Sequence, residues 1–166
     1  MSTYRDAGVD IDEGDRAVEL MKAHLAKATR PEVIGGIGGF AGLFDASALK
    51  NFKKPLLATS TDGVGTKTEF ARLLNRYDTI GEDLVAMVVD DLVVCGAEPL
   101  FMTDYIATGK VHPEKIAEIV KGIARGCEKA DTALIGGETA EHPGLMAYDE
   151  FDLAGAATGV VESENL

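Results

Sequence analysis

Apolar residues recur at helical spacing along some stretches of the chain and crowd into short runs in others. Val18, Met21, Leu25 and Ala28 put an apolar stripe on a helix predicted over 12–29, which Pro31 ends. Ile116, Ile119, Val120, Ile123 and Cys127 do the same over 113–130, with Pro113 at the first helical position. Residues 80–95 are apolar nearly all round, which predicts a buried helix capped by Gly96, and 66–76 predicts a shorter helix before it. The runs "PLLATST" (55–61), "EPLFMTDYIATG" (98–109), "DTALIGGET" (131–139) and "FDLAGAATGVV" (151–161) read as strands.

That order predicts an α+β fold, a four-stranded sheet with helices on one face. Leu56, Leu57 and Ala58, and again Leu100, Phe101 and Met102, make strands that are apolar on both faces. Helices cover only one of them, so the other is expected to meet a second copy or a further domain, and a homodimer is expected. Between the first helix and the first strand, "GGIGGFAG" (35–42) holds five glycines in eight positions. Such a segment is either a plain connector or a flap that closes over a ligand, with Phe40 as its apolar tip.

At 166 residues, 46% of them apolar, the chain suits one domain with a real core. A formal charge of -12 leaves no basic stripe for nucleic acid, and a phosphate ligand needs local charge or a metal. Cys95 and Cys127 form no CxxC pattern, which argues against a disulfide framework or a zinc site and favours a reducing compartment. The opening "MSTYRDAGVDIDEGD" has neither the basic region nor the apolar core of a signal peptide, and no apolar run reaches the roughly 18 residues of a membrane span. A cytoplasmic chain that does not enter a membrane is expected.

The stretch "STDGVGTK" (60–67) follows the first strand directly. It fails the P-loop pattern, since one residue separates Gly63 from Gly65 and Thr66 precedes Lys67. A dinucleotide fingerprint on Gly36, Gly38 and Ala41 lacks a preceding strand and a following helix. Two readings stay open for 60–67. A tight turn accounts for Asp62 and Gly63. A bound phosphate accounts also for Ser60, Thr61, Thr66 and Lys67, because glycine N–H groups and the start of the next helix would point at one oxygen cluster.

Asp91 shares a helical face with Leu84, Val88 and Cys95, where an unpaired carboxylate is costly. It is read either as a buried salt bridge or hydrogen bond, or as a ligand of a hard cation such as Mg2+ that bridges to phosphates. Asp62 would serve the same ion. Glu138 follows Gly136 and Gly137 at the end of a strand, where glycines permit close backbone approach to a ligand, and makes a third acid for such a cluster. His24 and His112 read as structural, and His142 has no partner at motif spacing.

"YRDAGVDID" (4–12), "GGIGGF" (35–40), "STDGVGTK" (60–67), "DLVVCGAEPLFMTDYIATGK" (91–110) and "GGETAEHPG" (136–144) together resemble the phosphoribosylformylglycinamidine cyclo-ligase, or AIR synthetase, family in order and spacing over nearly the whole chain. The resemblance implies an ATP-dependent ring closure of purine biosynthesis, from formylglycinamidine ribonucleotide to aminoimidazole ribonucleotide with release of ADP and phosphate. It implies Mg2+ held on the ATP phosphates by Asp62, Asp91 and Glu138, and a phosphate-contacting turn of Gly63, Gly65, Thr66 and Lys67, with Lys67 and Asp62 nearest the chemistry. It implies a mobile flap of Gly35, Gly36, Gly38, Gly39 and Phe40, with Gly136 and Gly137 beside the nucleotide.

The family commonly has Asn where Asp90 stands, and many members have Met in place of His142. Its members are roughly twice as long, so the resemblance further implies an N-terminal half that lacks the C-terminal α/β domain and pairs with its dimer mate into a closed β-barrel. Other ATP enzymes of the superfamily, or a non-catalytic dimerisation module, are the alternatives.

Overall fold

A computed structural model describes residues 11–36 and 41–166 of the chain. In order its elements are α1 (Ile11–Leu25), β1 (Val33–Ile34), β2 (Leu43–Phe44), a short 3-10 helix (Ala46–Asn51), β3 (Pro55–Gly63), α2 (Lys67–Leu74), α3 (Ile80–Val94), β4 (Glu98–Thr108), α4 (Pro113–Lys129), β5 (Ala133–Glu141), β6 (Phe151–Glu162) and a last 3-10 turn. Each helix and long strand that the apolar pattern predicts is there. β1 and β2, which pair antiparallel across the glycine segment, were not expected, because two residues carry no period to read.

The long strands lie in the order β3-β6-β4-β5. β6 runs antiparallel to both its neighbours, while β4 and β5 are parallel and are joined by α4 as a crossover. Strand alternation then sorts the side chains. On β3, Leu56, Ala58 and Ser60 turn inward while Leu57, Thr59 and Thr61 turn out. Met102, Ile106, Leu153 and Ala157 on the sheet meet Leu84, Val88, Ile119 and Ile123 on α3 and α4, all of them fully buried.

α3 covers β3, β6 and β4, α4 covers β5, and α1 lies on α4. The helices therefore take one face. On the other, Leu57 is 63% and Tyr105 41% exposed in the single chain. One expectation is corrected: α3 is not buried all round. Its C-terminal end leaves Val93, Val94 and Asp91 in the open, because the helix runs past the region that α4 covers.

The registers align Asp62 on β3 with Gly155 on β6, Asp104 on β4 and Gly137 on β5. This row crosses the sheet from edge to edge, three strand spacings or about 14 Å. It fixes where the candidate chemistry sits.

Candidate functional site

At one edge, β3 turns into α2 through the stretch that drew attention in the sequence. The N–H of Val64 donates to the Leu153 carbonyl (3.1 Å), which carries the chain one residue beyond β3. Gly65 then adopts φ +56, the left-handed region that a residue with a Cβ enters only under strain. Lys67 and Thr68 donate back to the carbonyls of Val64 and Gly65, each at 3.3 Å, and start α2. The side chain of Thr66, at the helix cap, makes no capping hydrogen bond. Lys67 stands 3.9 Å from Asp83, with both side chains about half exposed, so the pair contributes little and leaves the ammonium available.

Two carboxylates flank this turn. Asp62 accepts the N–H of Gly63 (2.7 Å), and Asp91 accepts the hydroxyl of Ser60 (2.9 Å), tying α3 to β3. Ser60 and Asp62, two apart on one strand, face the same side. Asp91 is exposed, unlike Leu84 and Val88 on the same helix, so it meets no burial cost in the single chain. The hydrogen-bond reading of Asp91 is thus satisfied by Ser60. A carboxylate has further lone pairs, so that bond does not close the residue to a cation.

Glu138, the third acid, lies on β5 at the opposite edge, in register with Tyr105. The single chain brings Asp62 and Asp91 to one edge and leaves Glu138 at the other. Among the described residues no three His, Cys, Asp or Glu side chains are gathered as a metal set.

The β5 edge has its own architecture. Arg30 donates to the carbonyls of Pro99 (3.1 Å) and Asp131 (2.9 Å), and Phe44 packs on Phe101 with ring centroids 5.2 Å apart. These contacts hold the β1–β2 stem of the glycine segment beside β4 and β5. Gly35 and Gly36 leave the stem on one side and Ala41 and Gly42 return on the other. Gly38, Gly39 and Phe40 lie outside the described residues, as do residues 4–10 of the first motif.

Beneath the stem is a cavity of 310 Å³. Val18, Met21 and Leu25 of α1, Val120 of α4 and Leu134 of β5 make its walls apolar, while Gly136, Gly137 and Glu138 border it. A second acid, Asp104, lines it from the sheet. Burial pushes the Asp104 carboxyl up to about 7, with only its own backbone N–H favouring the charged form. Asp104 belongs to none of the residues marked out for a role in the sequence. The signal was present, an acid between Met102 and Ile106 on an inward-facing strand position, and strand alternation would have found it.

Two of the histidines make contacts with aromatic side chains. His142 lies 3.1 Å from the Tyr105 hydroxyl, and His112 stacks edge-on against Tyr148.

Residues 44–161 match the family model described as "AIR synthase related protein, N-terminal domain". The chain belongs to this family. It is 63% identical over 163 residues to the phosphoribosylformylglycinamidine cyclo-ligase of Geobacillus kaustophilus, covering 98% of this chain and 47% of that protein. With the cyclo-ligase of Leptospira interrogans serovar Lai it shares 56% identity, covering 99% of this chain and 48% of the relative. The chain therefore spans about half the length of the curated relatives it matches.

Among solved structures, E. coli HypE, a hydrogenase maturation protein, superposes with a TM-score of 0.68 at 18% identity over 92% of this chain and 45% of its own. HypE in complex with ATP gives 0.61 at 19%, over 91% of this chain and 41% of its own. These two likenesses concern the fold alone. An AIR-synthase-type domain and HypE thus share a fold. No helix among the described residues is long and apolar enough to cross a membrane.

Proposed function

We propose that this chain is the nucleotide-binding half of a phosphoribosylformylglycinamidine cyclo-ligase. The observation that carries the reading is 63% identity to such an enzyme along 98% of this chain. In that reaction ATP phosphorylates the formamide oxygen of formylglycinamidine ribonucleotide. An amidine nitrogen then attacks the activated carbon, the ring closes, and phosphate leaves.

This chain's share is to hold and neutralise the phosphates. Lys67 and the N–H groups of Gly65 and Thr66 face the triphosphate, which gathers negative charge as the terminal group moves. Asp62 and Asp91, hard oxygen donors on either side of Ser60, would hold Mg2+, which would supply charge neutralisation for the phosphates. Gly35, Gly36, Gly38, Gly39 and Phe40 of the glycine segment contact the nucleotide together with Gly136 and Gly137.

Glu138 completes the acid set through a homodimer. The exposed face carrying Leu57 and Tyr105 is apolar enough to bury against a second copy. If two such sheets close into a barrel about an axis along the strands, the β5 edge of one copy meets the β3 edge of the other, and the three acids converge. A cytoplasmic location fits this reading.

Titration of the chain with ATP in the presence of Mg2+ tests the proposal. Saturable binding that Asp91→Asn weakens about tenfold, with the melting temperature little changed, is expected, since one charge-assisted contact is lost. An Asp91→Asn titration that overlays the parent would remove Asp91 from the site. Because the chain spans half its relatives' length, ring closure by it alone is expected to be far slower than by a full-length relative, and a comparable rate of ADP release would refute that.

A further inference from the structure

The turn at β3, the paired acids and the glycine segment leave one acid without a role: Asp104, in the cavity between α1 and β5 that Gly136, Gly137 and Glu138 also border. Among the described residues, no lysine, arginine or histidine pairs with Asp104. Val18, Met21, Leu25, Val120 and Leu134 make much of the lining aliphatic, Gly136, Gly137, Glu138 and Thr139 border it on the β5 side, and the Cys127 thiol is close enough to feel the Asp104 charge. A carboxylate so placed is expensive to ionise alone, and folded proteins keep such a group only where a proton or a cation balances it.

The space is shaped for something small. Its 310 Å³ admits a compact head group and not a whole nucleotide, and Gly36 and Ala41 border it. Gly137 has no side chain, and the Asp104 carboxylate takes the space a Cβ there would occupy. A planar cation with two parallel N–H donors meets both carboxylate oxygens at once, and the apolar walls strengthen the pair by excluding water.

We propose that this cavity is an amidine-binding site, in which the Asp104 carboxylate accepts both N–H donors of an amidinium group. Resting on the cyclo-ligase reading, the group it takes in turnover is the amidine of formylglycinamidine ribonucleotide. Asp104 then holds the nitrogen that becomes the nucleophile, and the ribosyl phosphate remains outside the cavity.

Benzamidine and its neutral isostere benzamide are the probes, titrated into the full chain by calorimetry and by ligand-observed NMR. Benzamidine is expected to bind about tenfold more tightly than benzamide, the worth of one charge-assisted bidentate pair. That preference is expected to vanish in Asp104→Asn, which keeps the shape and removes the charge. Equal binding of the two probes to the parent chain overturns the proposal without recourse to any variant, as does a preference that survives in a folded Asp104→Asn. Mg-ATP titration of the same sample separates the two ideas. Amidine preference without any ATP binding would sink the cyclo-ligase reading and leave the cavity's chemistry standing, whereas ATP binding without amidine preference would do the reverse.

Discussion

The carboxylate of Asp104 lies directly against Gly137: a Cβ built on the glycine would overlap Oδ1 and stand 2.8 Å from Cγ. The second glycine of "IGGE" is therefore demanded by an acid on the neighbouring strand, whatever ligand also approaches it. Gly137→Ala is expected to destabilise the fold by about 1–3 kcal/mol, the usual cost of forcing an extra carbon into a filled site. In an Asp104→Ala background the same change should cost much less, a coupling that a denaturant double-mutant cycle reads directly. An equal cost in both backgrounds would show that something other than Asp104 fills the space.

Asp104 also sets a pH dependence. Burial raises its folded pKa to about 7, above the roughly 3.9 of an unfolded aspartate, so the native state keeps the proton longer. For a carboxyl raised in this way, stability is greatest at low pH and falls as pH climbs from about 4 to about 7, by at most about 1.4 kcal/mol per pH unit. Asp104→Asn should flatten that part of the profile and be more stable than the parent at pH 8. Urea midpoints across the range check it, and a parent profile that rises through this window relative to Asp104→Asn would contradict the assignment.

How much of this was legible beforehand follows from which features carry a period. The four long strands and four helices were, because Ile116 to Cys127 and the alternating runs obey spacings of 3.6 and 2. The Gly63–Lys67 turn was legible from composition alone, and Gly65 takes the positive φ that its residue type permits. The β1–β2 stem was not, since Phe44 on Phe101 and Arg30 on distant carbonyls are contacts between remote segments. The exposure of Asp91 was missed for a related reason: helical spacing shows which residues share a face but not how far along the helix its neighbour reaches. The separation of Glu138 from Asp62 depends on strand order, and spacing along the chain says nothing about that.

The two cysteines should differ sharply in reactivity. Cys95, at the end of α3, is exposed, whereas Cys127 is buried and its thiol is pushed up to about 12 by desolvation and by the nearby Asp104. The nucleophile is the thiolate, so at neutral pH Cys127 is both hidden and protonated. A thiol reagent is expected to label one site rapidly in the folded chain and a second only in denaturant. Two fast equivalents under native conditions would mean that α4 opens readily from β4.

The separation of the acids allows a sharper test of how copies share a site. With Asp62 on one edge strand and Glu138 on the other, a barrel that joins unlike edges builds each Mg-ATP site from two copies, one giving Asp62 and Asp91 and the other giving Glu138. Asp62→Asn and Glu138→Gln should each lose Mg-ATP binding when prepared alone. When the two are unfolded together and refolded, half of the dimers are mixed, and each mixed dimer has one site with all its acids and one with neither altered residue intact. Binding should return to about a quarter of the sites, the statistical share for a symmetric pair. If all three acids of a site came from one copy, no mixture could restore it, because neither chain carries the full set. Calorimetric stoichiometry distinguishes a quarter from zero, and a sedimenting monomer at micromolar concentration would remove the shared site altogether.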